Sequence, residues 1–226
     1  MNNLAPVSFV SQSERNAIPA ILHLIWVGPK SCPVTLPTYV EGWKTLMPNW
    51  TVRLWGNDDI NDKEFNESAL QLIQAANTGV QKADIMRYFI LEKYGGVYMD
   101  ADVEPYRSLD PLLHVPFTTL ACHDLPVTWA YISIGFFAAT PHHPLFQSCC
   151  KMLKNVQLNT DAPHMQTGPR LFGHCISQLA TDQPHGLLPI RSFYRNKAGQ
   201  QWIDGSFLGE DDNSRFGSHL YSKLWD

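Results

Sequence analysis

The sequence predicts an α/β protein built on one sheet, and three observations carry that prediction. Apolar runs of strand length alternate with helix-period segments through the first half of the chain. An apolar helix over 80–94 runs into Gly95-Gly96 and then a short strand that ends at Asp100 and Asp102. The 226 residues are 44% hydrophobic and 12% aromatic, enough to fill the core of one ordinary domain.

The elements follow in order. Residues 1–17 are polar and aperiodic and read as a loose arm before a single domain at 18–226. Ala20–Val27 is an apolar run between Pro19 and Gly28-Pro29, which marks a buried strand. A Pro-rich loop over 29–37 precedes a short helix at Tyr39–Leu46, stopped by Pro48. Thr51–Trp55 alternates as a strand and ends at Gly56-Asn57-Asp58. Ser68–Asn77 and Val80–Tyr94 are two helices separated by Thr78-Gly79, the second apolar nearly all round and therefore buried. Val97–Met99 is the strand before the acids, with Phe117–Cys122 and Tyr131–Ala139 as further strands. Helices are expected at Pro144–Lys154 and Pro169–Ala180, the latter with proline in its first turn. After Pro189 the chain reads as loop.

Several function classes are excluded at this level. A net charge of −4 with no basic run argues against nucleic-acid binding. Five cysteines at 32, 122, 149, 150 and 175 are odd in number and follow no metal spacing, and Cys149-Cys150 reads as a pair of buried thiols. The first residues lack a basic and apolar leader, and the longest apolar runs, Ile21–Val27 and Ile132–Ala139, are too short to cross a bilayer. A cytosolic chain with reduced thiols is expected.

Chemistry gathers at residues 84–102. In a strand, i and i+2 face the same way, so Asp100 and Asp102 can address one site. Hard cations such as Mg²⁺ or Mn²⁺ take one or two carboxylates plus the phosphates of a substrate; a solvated strand end is the plain alternative. Asp84 and Arg87, spaced i, i+3, share a face of the buried helix. Buried charges are paired or bound to something, so they form either an internal salt bridge or a polar pair displayed to a sugar. Trp26 at the end of the first strand either stacks on a base beside Gly28 or fills the core. His23 reads as a satisfied core histidine; His219 in the tail reads as a surface residue, the alternative being a histidine that completes a metal shell or contacts a leaving diphosphate.

These segments resemble the Asp-x-Asp sugar-transferases, glycosyltransferase family 32. That family includes yeast-type initiating mannosyltransferases, capsular polysaccharide transferases and viral or bacterial relatives, with a distant likeness to the glucosylating domains of clostridial toxins. The resemblance rests on Ile18-Pro-Ala-Ile-Leu-His-Leu-Ile-Trp-Val-Gly28, on Met47-Pro-Asn-Trp-Thr-Val-Arg-Leu-Trp55 and above all on Lys82-Ala-Asp-Ile-Met-Arg-Tyr-Phe-Ile-Leu-Glu-Lys-Tyr-Gly-Gly-Val-Tyr-Met-Asp-Ala-Asp-Val103. Weaker likenesses are Ile132–Pro144, Thr167-Gly-Pro169 and the tail from His219 to Trp225.

The resemblance implies a GT-A fold, a Rossmann-like mixed sheet flanked by helices, and a hexosyltransferase acting in polysaccharide biosynthesis. It implies a UDP- or GDP-linked donor held through Mn²⁺ or Mg²⁺, and a glycan or other hydroxyl acceptor. The implied metal set is Asp102, Asp100 and His219: Asp102 would ligate the ion directly, Asp100 would assist, and His219 would act near the diphosphate. The donor-binding set it implies is Trp26, Val27, Gly28, Asp84, Arg87, Tyr88, Gly96, Asp100 and Ala101. Two segments depart from the family: Ser133-Ile-Gly135 stands where asparagine is common, and Lys223-Leu224 precedes Trp225 in place of Gly-Ser. The resemblance favours retention; inversion would require a base, for which His123, Asp124, Asp204, Glu210 and Asp211 are candidates.

Two competing readings remain at this stage. A haloacid dehalogenase-type phosphatase also uses a strand ending in Asp-x-Asp, but that motif normally opens its chain and leaves Trp26 and the Asp84/Arg87 helix unexplained. A nucleotide-sugar-binding protein that performs no transfer would carry the same residues.

Overall fold

The computed structural model describes residues 18–115, 117–123, 132–158, 166–179, 185–188, 192–193 and 215–219. In chain order these residues form β1 (Ile21–Ile25), α1 (Thr35–Leu46), β2 (Thr51–Trp55), α2 (Glu67–Ala75), α3 (Gly79–Tyr94), β3 (Gly96–Met99) and β4 (Val103–Pro105). There follow α4 (Asp110–Leu113), β5 (Thr119–His123), β6 (Ile132–Ala139), α5 (Pro144–Leu153), α6 (Pro169–Ser177), β7 (His185–Leu188) and β8 (Gly217–His219). The main sheet has the order β2-β1-β3-β6-β5-β7, while β4 and β8 form a separate two-stranded ribbon. β1 is parallel to β2 and β3, β6 is antiparallel to β3 and β5, and β7 is parallel to β5. The sheet is therefore mixed.

Alternation along the strands divides the core into two layers. Ile25, Tyr98, Phe137 and Ala139 face α2, α3, α5 and α6, where they meet Ile73, Ile85, Phe146 and Phe172. Their neighbours Leu24, Val97, Met99, Phe136 and Ala138 face the other way, onto Leu36, Val40 and Trp43 of α1 and onto Leu109, Leu112 and Phe216. Period-two side-chain direction in strands produces this split, and it buries both faces of the sheet.

The α3–β3 junction aims the acids. Thr78 caps α3, its side chain accepting from the Gln81 N–H, and Gly95 closes the helix with its N–H on the Leu91 carbonyl. Gly95 and Gly96 have φ of +61° and +86°, a region open to glycine. A Cβ on Gly95 would come 2.6 Å from the backbone N of Pro141, and one on Gly96 2.6 Å from the Ile21 carbonyl oxygen. The chain thus reverses tightly, and the N-terminal half of α3 lies beside the C-terminal end of β3. His23 secures the same turn: its Nε2 lies 3.0 Å from the Gly95 carbonyl, while Nδ1 accepts from Trp55 Nε1 at 3.1 Å. Burial lowers its pKa to about 4, so the ring is neutral at physiological pH, as a satisfied core histidine should be.

Some boundaries differ from the sequence expectation. α1 starts at Thr35, four residues before the expected Tyr39. Pro37 falls in its first turn, where the missing N–H costs no helical bond. The expected loop after Pro189 contains β8, a three-residue strand formed only because β4 lies alongside it: Val103 faces His219, Glu104 faces Ser218 and Pro105 faces Gly217. β4, α4 and β7 were likewise not anticipated; each is three or four residues long, too short to show a period. Cys149 and Cys150 are buried on α5 as expected. The expected arm at 1–17 lies outside the described residues.

Candidate active site

At the C-terminal end of β3 the chain turns from Asp100 to Val103, whose N–H bonds the Asp100 carbonyl at 3.2 Å. The Asp100 N–H is itself held by the Gly135 carbonyl at 2.9 Å, which ties the turn to β6. Within this frame Asp100, Asp102 and His219 bring one ligand atom each within 4.8 Å of one another. His219 Nε2 is 3.2 Å from Asp100 Oδ2 and 3.4 Å from Asp102 Oδ1. The surface role expected for His219 from its tail sequence is thus corrected: β4–β8 pairing carries it to the acids, and its side chain is only 12% exposed.

Arg87 is the hub beneath this cluster. Its guanidinium lies 2.9 Å from Asp84 and 3.7 Å from Asp100, and it donates to the Ile134 carbonyl at 2.6 Å and the Ala83 carbonyl at 3.3 Å. It also sits over the Tyr98 ring at 4.6 Å. Asp84 receives the Thr167 hydroxyl at 2.7 Å, and Tyr98 donates to Asp100 Oδ1 at 2.6 Å.

The environment treats the two acids oppositely. Burial raises the Asp84 pKa to about 6 despite Arg87 and Thr167. At Asp100 burial acts in the same direction, but the Arg87 charge, His219 and the Tyr98 hydroxyl outweigh it and bring the value down to about 2. Asp100 is thus held in its carboxylate form, with one oxygen facing Tyr98 and Arg87 and the other facing His219.

The other expected donor residues are placed as follows. Trp26 is buried, bonding the Lys30 carbonyl through Nε1 at 3.2 Å. Gly28, at φ +112°, has both its backbone groups engaged by the Asn57 side chain, at 2.9 Å each. Its missing Cβ would come 3.0 Å from Gly79 Cα at the start of α3. Val27 and Ala101 are buried. Tyr88 is fully buried and donates to the Thr167 carbonyl at 3.0 Å, while Gly96 packs on β1.

Sequence reasoning missed four contributors: Tyr98, Thr167, Asn57 and the carbonyl of Ile134. Tyr98 carried a usable signal, since it stands two residues before Asp100 on the strand. Thr167 and Ile134 lie in the segments singled out only as weak likenesses. The remaining base candidates Asp124, Asp204, Glu210 and Asp211, the side chain of His123, and Trp225 lie outside the described residues.

A mixed sheet flanked by helices, with paired acids just past a central strand, is the arrangement of the GT-A fold. The fold is shared with the PaToxG glycosyltransferase, at a TM-score of 0.60 and 15% identity over 72% of this chain and 70% of that one. Residues 33–118 match the glycosyltransferase sugar-binding region containing a DXD motif. The chain is 30% identical over 171 residues to an uncharacterised glycosyltransferase of Acanthamoeba polyphaga mimivirus, covering 74% of this chain and 68% of the relative. It is 30% identical over 224 residues to inositol phosphoceramide mannosyltransferase 1 of Schizosaccharomyces pombe, covering 89% and 68%. The chain belongs to this DXD-containing family, glycosyltransferase family 32, and is a glycosyltransferase. Membership leaves no room for the phosphatase reading.

Proposed function

We propose that the chain moves a sugar from a UDP- or GDP-linked donor to a hydroxyl of a glycan or other acceptor, with retention and with a divalent ion held by Asp102, Asp100 and His219. The convergence of those three side chains at the end of β3 carries the reading. Two carboxylates and one imidazole suit Mn²⁺, and Mg²⁺ less well because of the nitrogen. When bound, such an ion offsets the charge that builds on the departing nucleoside diphosphate.

In this reading the domain spans 18–226 and its residues divide the work. Trp26 to Gly28 receive the base and ribose, with Ala101 contributing between the acids. Asp84 and Arg87 orient the sugar, and Tyr88 and Gly96 support them. The acceptor oxygen bonds the anomeric carbon as the bond from that carbon to the diphosphate oxygen breaks. The bonding pair leaves with the diphosphate, which also accepts the hydroxyl proton, so no protein base is required. Among the described residues no helix is long and apolar enough to cross a membrane, and Cys32, Cys149, Cys150 and Cys175 are free thiols.

A thermal-shift series of UDP- and GDP-sugars with and without Mn²⁺ tests the donor half, because a ligand that binds the native state raises its apparent stability. Stabilisation by one nucleotide class only in the presence of metal is the expected result. GDP-mannose is the first donor to try, because the fission-yeast relative is a mannosyltransferase. No shift with any donor at millimolar concentration would overturn the proposal. Binding without release of nucleoside diphosphate would instead identify a silent binding protein. For His219→Ala the apparent Mn²⁺ affinity should fall about ten- to a hundredfold, the loss that even outer partners of a metal site produce. Unchanged metal dependence would remove His219 from the ligand set.

A further inference from the structure

β2, β1 and β3 lie side by side and parallel, so the segments that leave their C-terminal ends share one edge of the sheet. Trp55 pairs with Ile25 at the end of the β1–β2 ladder, and the Trp55 carbonyl accepts the Trp26 N–H at 2.9 Å. Two residues further on, Asn57 reaches across to Gly28. Its Oδ1 accepts the Gly28 N–H and its Nδ2 donates to the Gly28 carbonyl, each at 2.9 Å. Gly28, at φ +112°, is pressed from another side by the first residue of α3, where a Cβ on Gly28 would come 3.0 Å from Gly79 Cα. β3, which runs into the acids, flanks β1 on the side away from β2.

Asn57 is itself held. It opens a short 3₁₀ turn in which Asp59 accepts the Gly56 N–H at 2.8 Å and the Arg53 guanidinium at 2.9 Å. Arg53 also donates to Glu64 at 2.8 Å and lies 3.4 Å over the Trp55 ring, which fixes the turn on β2. Asn57 is nevertheless exposed, so water competes for both of its bonds and they contribute little to the stability of the whole chain. Their consequence is local. Glycine has the widest backbone freedom of any residue, and a side-chain amide that grips both of its peptide groups holds Gly28 in one conformation before a ligand arrives. Ordering a loop in advance removes that cost from binding.

We propose that Asn57 is a positioning residue for the donor nucleotide: it fixes the Trp26–Gly28 segment in the conformation that receives the base and ribose, and does so without touching the nucleotide. Both polar groups of its side chain are committed to Gly28, so its influence passes through that residue. Because β1 stands between β2 and β3, the effect belongs to the nucleotide end of the site and leaves the cluster of Asp100, Asp102 and His219 alone. This assignment rests on the reading of Trp26 to Gly28 as donor-binding, and the test separates the two.

Calorimetric titration of UDP and GDP in the presence of Mn²⁺, on the wild type and on Asn57→Ala and Asn57→Ser, is the experiment. Serine keeps a small polar side chain in the turn but cannot bridge both groups of Gly28. Each variant should bind the nucleotide that the wild type binds about tenfold more weakly, the order expected for losing a pair of exposed hydrogen bonds. The melting temperature of the ligand-free variants should stay nearly unchanged, and Mn²⁺ alone should bind as it does to the wild type. In sugar transfer the loss should appear in the KM for the donor rather than in kcat. Unchanged nucleotide affinity in both variants, with or without a lower melting temperature, would overturn the role of Asn57 and leave the donor reading standing. A parallel loss of Mn²⁺ affinity would also overturn it, as general damage to the site. Failure of the wild type to bind either nucleotide would overturn the donor reading and this assignment with it.

Discussion

Asp102→Ala is expected to lower sugar transfer by about a thousandfold or more, the loss that follows removal of a group stabilising transition-state charge. Stability should barely change. Asp102 faces Asp100 across His219, so removing it relieves repulsion between like charges as much as it breaks a contact. Release of nucleoside diphosphate, measured beside a thermal melt, checks both halves. Asp102→Asn keeps the shape without the charge and should fail almost as completely. Full activity in a well-folded Asp102→Ala chain would remove the metal from the reaction.

Arg87→Ala should instead damage folding first. The guanidinium is about 95% buried, forms ion pairs with Asp84 and Asp100 and donates to two backbone carbonyls. Deleting it strands the Asp84 carboxylate in the interior, a loss of roughly 3–5 kcal/mol for a broken buried pair. Against a total stability of about 5–15 kcal/mol this is severe, and the melting temperature should drop by roughly 10 °C. Arg87→Lys keeps the charge without the fork and should recover part of that stability. A melting temperature unchanged in Arg87→Ala, with donor use alone lost, would show that the arginine serves the sugar and not the scaffold. Of the alternatives posed by the sequence the internal bridge is present: Arg87 braces the helix through Asp84 and also reaches Asp100.

How much of this was legible follows from distance along the chain. The central block was readable because each relation in it is local. Asp84 and Arg87 are three apart on a helix, Asp100 and Asp102 two apart past a strand, and Gly95-Gly96 marks the turn between them. The alternation of β1, β2 and β3 with helices likewise showed directly in runs of apolar residues. Cys149 and Cys150 declared themselves by the apolar helix that carries them.

The remaining features depended on contacts that no local pattern encodes. His219 meets Asp100 across 119 residues, Thr167 meets Asp84 across 83, and the Ile134 carbonyl meets Arg87 across 47. A three-residue strand such as β8 has no period of its own, and a backbone carbonyl is the same in every residue type. The sequence by itself determined the α/β sheet, the buried helix with its charge pair and the two acids beyond it, because backbone geometry makes i, i+2 and i, i+3 neighbours in any fold. Only the tertiary structure decided that His219 joins those acids, that Thr167 and the Ile134 carbonyl meet the charge pair, and that Tyr88 packs against Thr167. Each of these depends on which strands pair and which helix packs on which face, and those choices are made by burying both faces of the sheet together.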